Sequence, residues 1–203
     1  MKKVTLTLMQ QILAQVAGAP EGATLSAKAL LHLGSRAALD QALSRLVRRR
    51  QLMRAGRGVY VRPVETRFGV RAPSVEKVVE AIASRRGETV VSHGAAAANA
   101  LGLTSQVPVR MVYLTSGRSR HLKLGAQVVE LKHAPGWQLI KAGEPAGEAV
   151  RALAWLGPAH APEALKTLKR KLSESEFRAL GATRHVLPGW LAEQVSAELA
   201  ANG

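Results

Sequence analysis

Leu6, Met9, Leu13 and Val16, with Ile12 beside them, recur at helical spacing and predict an amphipathic helix over residues 5–17. Gly18, Pro20 and Gly22 end it. Leu25 then leads into a short helix with Ser26 as N-cap and Ala27, Leu30 and Leu31 facing inward. After a turn at Gly34 and Ser35, Ser35 caps a third helix that runs to about Arg49, its buried stripe being Leu39, Ala42, Leu43, Leu46 and Val47. The opposite face carries Ala37, Asp40, Gln41, Ser44, Arg45 and Arg48. The next stretch, QLMRAGRGVYVRP, alternates as a strand. A turn at Ala55, Gly56, Arg57 and Gly58 follows, then a second strand over residues 59–62 closed by Pro63. Helix, short helix, glycine turn, longer helix and two-stranded ribbon is the order of a winged helix-turn-helix.

Beyond Pro73 the pattern changes. Ser74 opens a helix with Val75, Val78, Val79 and Ile82 on one face, ending at Arg85, Arg86 and Gly87. A short apolar piece over residues 89–91 precedes an alanine-rich helix over 94–101, with Ser92 as a capping residue and Gly102 as the stop. Strands follow over 110–115, 121–124 and 127–132, with turns at Ser116-Gly117 and Gly125. The rest reads as helices over 148–156 and 163–172, a third capped by the box Ser173 to Glu176 and ending near Gly181, and a last over 189–199 opened by Pro188. The expected fold class is therefore α+β: an N-terminal winged helix-turn-helix domain over 1–72, then a small mixed α+β domain over 73–203 with a helical end.

Charge sharpens this division. The chain has 29 Lys and Arg against 14 Asp and Glu, a formal net charge of +15. Residues 1–72 hold 13 of the cations and 3 of the anions, so the first third carries two thirds of the excess. Such an imbalance favours a polyanionic partner, nucleic acid ahead of membrane. Aromatics are only 3% of the chain, too few for a single-strand binder that works by stacking bases. The basic start is followed by no signal-peptide core and no apolar run spans a bilayer; with no cysteine there is neither a disulfide nor a thiolate metal site, and a cytoplasmic setting is expected.

A helix with small and polar residues on its outer face fits the major groove of duplex DNA. Ser35, Arg36, Gln41, Ser44 and Arg45, toward the start of the third helix, are the candidates for reading bases. Arg48, Arg49 and Arg50 at its end are placed to hold phosphates, and Arg54 and Arg57 at the wing to meet a neighbouring phosphate or the minor groove. Lys166, Lys169, Arg170, Lys171, Arg178 and Arg184 form a second basic cluster, read either as solvated surface or as an auxiliary DNA or partner surface, and GRSRHLK over 117–123 is read as a solvated hairpin ahead of a nucleic-acid contact. Catalytic chemistry is not expected. Ser92 and His93 are adjacent, which does not suit the nucleophile–base bond of a triad, and no G-x-S-x-G elbow surrounds them. The six histidines are dispersed, no phosphate-loop pattern occurs, and neither a metal nor a cofactor is expected.

Three stretches together, LSRLVRRRQLMRAGRGVYVRP, SHGAAAANALGLTSQVPVRMVYLTSGRSRHLKLGAQVVELKHAP and RALAWLG, resemble the AbiEi-type antitoxins of bacterial type IV toxin–antitoxin systems over roughly residues 1–160. Ser92-His93-Gly94 stands where such chains have a serine-glycine pair. The resemblance implies a cytoplasmic antitoxin that represses its own operon, binding inverted-repeat operator DNA as a monomer or dimer. It also implies that the C-terminal part opposes a nucleotidyltransferase-like toxin without a stable complex, in settings such as phage defence by abortive infection. The alternative is a stand-alone winged-helix regulator whose C-terminal domain senses a ligand or dimerises.

Overall fold

A computed structural model describes residues 6–201 as a mixed α+β chain. Its contacts divide into two units. One comprises the residues up to Gly87 together with His121–Val129; the other comprises Glu88–Arg120 and the residues from Glu130 onward.

The first unit begins with α1 (Leu8–Ala17), which opens in a capping box: Gln10 donates its N–H to the Thr7 hydroxyl, and Thr7 donates its own N–H to Gln10 Oε1 at 2.8 Å. Thr5, the first residue of the predicted helix, lies outside the described residues. Strand β1 (Thr24–Leu25) follows, and then a 3-10 helix (Ala27–Leu33) capped by Ser26. Ala27 and Leu30 are buried as expected, but Leu31 is 51% exposed. The reason is the tighter winding: three residues per turn align positions 27, 30 and 33 and turn 31 outward.

Helix α2 (Arg36–Arg48) is followed by β2 (Met53–Gly56) and β3 (Val59–Val61). These strands and β1 form an antiparallel sheet in the order β1-β3-β2. The turn between β2 and β3 narrows to Arg57 and Gly58, and Gly58 takes the left-handed φ of 69° that a tight hairpin turn requires. Ile12, Val16, Leu30, Leu39, Leu43, Leu46, Leu52 and Tyr60 form the shared core.

Three further pieces complete this unit. A hairpin of β4 (Val64–Thr66) and β5 (Gly69–Arg71), which the alternation of the sequence did not suggest, follows Pro63. Helix α3 (Val75–Arg86) is tied to the start of the chain at both ends. Glu21 accepts from Lys77 Nζ at 2.7 Å, from Arg71 Nη1 at 2.8 Å and from the Ser74 N–H at 3.0 Å. At the other end Arg85 donates to the Thr24 carbonyl and to the Ser26 hydroxyl. These bonds are why the compact unit runs on to Gly87, past the boundary drawn from sequence near Pro73. Gly22 permits the approach: its φ is 86°, and a Cβ there would lie 2.6 Å from the Lys77 backbone.

Next along the chain come β6 (Val90–Ser92), α4 (Gly94–Ala100), β7 (Met111–Thr115), β8 (Arg120–Leu124), β9 (Gln127–His133) and α5 (Gly136–Leu139), then the helices α6 (Pro145–Leu156), α7 (Ala161–Lys171), α8 (Glu174–Ala182) and α9 (Gly189–Ala200); all but His121–Val129 belong to the second unit. The strands run β6-β7-β9-β8, and the distal part of the β8–β9 hairpin is the segment that belongs to the first unit. Val150, Leu153, Leu165, Leu168, Phe177, Leu180, Leu191 and Val195 make the helical core. Ala97, Ala98 and Ala152 pack α4 against α6. That seam is tight because its residues are small: a Cβ at Gly94 would collide with the Arg151 carbonyl oxygen and lie 2.6 Å from Trp155 Cβ. The cap of α4 is His93, whose Nδ1 accepts the Ala95 N–H at 3.2 Å; Ser92 ends β6 and does not cap. The serine box before α8 forms as read, with Ser173 and Glu176 exchanging bonds.

Glu21 gives this fold a measurable pH signature. Hydrogen bonds from Arg71, then Lys77, then the Ser74 amide hold its carboxyl at about 2, below its ordinary 4.5. A carboxylate depressed in the folded state contributes stability that is full above the unfolded value and disappears as pH falls through the folded one. Glu21→Gln should therefore unfold at a lower temperature than the parent at neutral pH, and the gap should close between about 4.5 and 2. Thermal melts across that range test this; a gap that persists at the acid end counts against the clamp.

Candidate nucleic-acid interface

Helix α2 owes its exposed face to its buried one. Leu39, Leu43 and Leu46 are fully enclosed, and each such leucine stabilises the fold by about 1.5–3 kcal/mol. Fixing that stripe fixes the rotation of the helix, so Asp40, Gln41, Ser44, Arg45 and Arg48 face solvent. Ser35 caps the helix, its hydroxyl accepting the Ala38 N–H at 3.3 Å, which leaves its O–H free to donate. Arg36 is tethered to Asp40 at 2.8 Å, but both side chains are about half exposed or more, and such a pair is worth about 0–1 kcal/mol. An incoming phosphate can exchange for it.

The end of α2 is a Schellman turn: the Arg50 N–H bonds to the Val47 carbonyl and the Gln51 N–H to the Leu46 carbonyl. The residue that must go left-handed in this motif is Arg50, with φ 58°. Glycine is the usual choice there, and a side chain costs about 1–2 kcal/mol. With Arg48 and Arg49 alongside, the turn holds three consecutive exposed guanidinium groups beside carbonyls that favour cations.

The nine residues singled out from sequence, Ser35, Arg36, Gln41, Ser44, Arg45, Arg48, Arg49, Arg54 and Arg57, are all exposed. Some of them line two different clefts. Gln41, Arg45 and Arg49 line a cleft of about 640 Å³ between α1 and α2, where Gln10 joins them. Arg54 lines a different cleft, of about 670 Å³, together with Arg50, Arg71 and Lys123. Its Nε also donates to the Gly56 carbonyl at 3.4 Å. Arg57 sits at the ribbon turn. Lys123 is a cation the sequence did not place here; it arrives on the distal β8–β9 hairpin, which lies against Gly56 in this unit. A contact between residues almost seventy positions apart leaves no local pattern to read.

Uncompensated charge distinguishes this surface. Among the described residues, the side chains of Arg45, Arg48, Arg49 and Arg57 make no hydrogen bond or ion pair. The second basic cluster differs: Lys166 pairs with Glu163, Lys169 with Glu198 and Arg178 with Glu174, while Lys171 donates to the Leu101 carbonyl and Arg184 to the Gly181 carbonyl. In the hairpin segment, Arg120 is likewise paired with Glu88. No group of His, Asp or Glu among the described residues is placed to hold a metal ion, and no helix among them is long and apolar enough to cross a membrane.

The strained turn yields a direct test. Arg50→Gly should be more stable than Arg50→Ala by about 1 kcal/mol, because glycine alone escapes the left-handed penalty. Denaturant midpoints of the two variants measure the difference; equal midpoints would mean that the backbone there carries no strain.

No curated protein and no solved structure matches the chain. One family model does, over residues 11–177, taking in α2, the β2–β3 ribbon, the alanine-rich α4 and the central helix α6. With most of its length matched, the chain belongs to DUF6088, a family of unknown function.

Proposed function

We propose that α2 and the β2–β3 ribbon act as a winged helix-turn-helix on duplex DNA, and that the protein is the antitoxin of a type IV toxin–antitoxin system, repressing its own operon and counteracting a nucleotidyltransferase-like toxin. The observation that carries the DNA reading is the exposed, unpaired row Arg45, Arg48 and Arg49 on a helix whose opposite face is locked in the core. Supporting it are the succession α1, β1, 3-10 helix, α2, β2, β3 and the sheet order β1-β3-β2, the order this reading requires. The antitoxin part rests on the resemblance of the three sequence stretches.

In this reading α2 enters the major groove, Gln41, Ser44 and Arg45 meet base edges, and Arg36 trades Asp40 for a phosphate. Arg48, Arg49 and Arg50 hold the backbone at the far end, and Arg57 reaches the flanking phosphate or minor groove. A second reading, a stand-alone regulator governed by a small ligand, is favoured by a cavity in the second unit lined by His93, Lys132, Arg151 and Trp155.

Gel shifts on the DNA upstream of the gene, over a salt series, test the interface. Gln41→Ala and Arg45→Ala should each relax discrimination at one base pair by about 1–3 kcal/mol. Arg48→Ala and Arg57→Ala should weaken all duplexes alike, each lowering the salt slope by about one phosphate contact. Four variants that bind as the parent does would refute the assigned face. Co-expression with a nucleotidyltransferase-like toxin should restore growth; persistent toxicity would remove the antitoxin role and leave the regulator.

A further inference from the structure

We infer that the second unit binds a small phosphorylated ligand in a cavity of about 430 Å³ lined by His93, Lys132, His133, Gln138, Arg151 and Trp155. This does not depend on DNA binding by the first unit.

Arg151 is the reason. It lies on α6 between Val150 and Ala152, is only 2% exposed, and lines the cavity. Its Nε and Nη1 have no hydrogen-bond partner among the described residues. Burial pushes its pKa down, and the opposing carboxylate, Glu148 on the same helix, acts at a distance without an ion pair. Arginine nonetheless keeps its proton in proteins. A buried guanidinium without a partner is destabilising, and an apolar residue of similar size would ordinarily serve a helix core better. An anion bound in the cavity supplies the counter-charge this guanidinium lacks, and among anions the phosphate group suits the planar fork of arginine.

The neighbours point the same way. Lys132 adds a second cation, exposed at the rim. His93 uses Nδ1 to accept the Ala95 N–H, so the proton of its neutral ring sits on Nε2, a donor. Burial, and then Lys132, keep that ring from charging easily, as expected of a site already rich in positive charge. His133 is oriented by donating Nδ1–H to the Gly117 carbonyl at 2.9 Å. Among the described residues no carboxylate lines the cavity. The volume falls within the range of about 300–1,000 Å³ for small-ligand pockets. The indole of Trp155 and the amide of Gln138 offer a flat surface and a polar edge for the organic part of a phosphate monoester. Inorganic phosphate shares the recognised group.

Calorimetry on the full chain, with inorganic phosphate, a nucleoside 5′-monophosphate and the unphosphorylated nucleoside, tests the site. The monophosphate should bind at one site per chain, and the nucleoside should not. If inorganic phosphate binds as tightly as the monophosphate, the phosphoryl group alone is recognised and the site stands as an inorganic phosphate site. Arg151→Met should weaken binding by about tenfold or more, and Lys132→Ala by several-fold. Without ligand, Arg151→Met should melt no lower than the parent, an outcome that a purely structural arginine would not give. Three results would overturn the inference: no binding of either phosphate, unchanged affinity in Arg151→Met, or loss of binding in Arg45→Ala/Arg48→Ala, which would put the anion on α2.

Discussion

The first unit is organised by the enclosure of one apolar stripe. Once Leu39, Leu43 and Leu46 sit in the core with Ile12, Val16 and Leu30, helix α2 has no rotational freedom left, and its arginines face water together. Like charges held on one rigid face repel one another, and among the described residues Asp40 offers relief to Arg36. Leucine burial thus maintains a concentration of positive charge that the chain does not neutralise internally. The backbone cooperates at some expense: a left-handed arginine ends the helix where glycine would be easier. Strain retained beside unpaired charge is what a binding surface would be expected to carry, and a merely solvated helix end has no use for it.

Helix α2 and the helices α7 and α8 treat their cations differently. On α7 and α8, Lys166, Lys169 and Arg178 find carboxylates within a turn or on a neighbouring helix. These contribute little singly, but they leave the helical surface balanced. Arg151, in the same unit, differs from these in being buried. Two unneutralised positive features therefore differ in kind: a broad exposed row suited to a polymer of phosphates, and an enclosed guanidinium suited to one small anion.

Much of this was legible in the sequence, and the residues show why. The stripes of α1, α2 and α3 follow helical spacing, and Ser26, Ser35, Ser74 and Ser173 cap the helices they precede, because periodicity and capping are local properties. Leu31 was misplaced because the same spacing was applied to a 3-10 helix, whose narrower turn rotates it outward. His93 was overlooked as a cap because an imidazole nitrogen accepts an N–H only when its ring is turned to it, which no propensity reveals. The β4–β5 hairpin escaped notice because Phe68 and Val70 are exposed and give no inward–outward alternation. The Glu21 clamp, Lys123 beside Arg54 and the isolation of Arg151 depend on long-range packing, and no reading of neighbouring residues contains them.

The hairpin that crosses from one unit to the other affects how the protein can be made. The chain passes between the units after Gly87, after Arg120 and again after Val129. No single cut separates them, so a truncation meant to isolate either half leaves it lacking a native segment. During synthesis the first unit acquires its last piece only after residue 129 has left the ribosome. Until then the strip that Leu122 and its neighbours are to cover stays open on the nascent chain, and the N-terminal part finishes folding only after translation has moved well into the second unit.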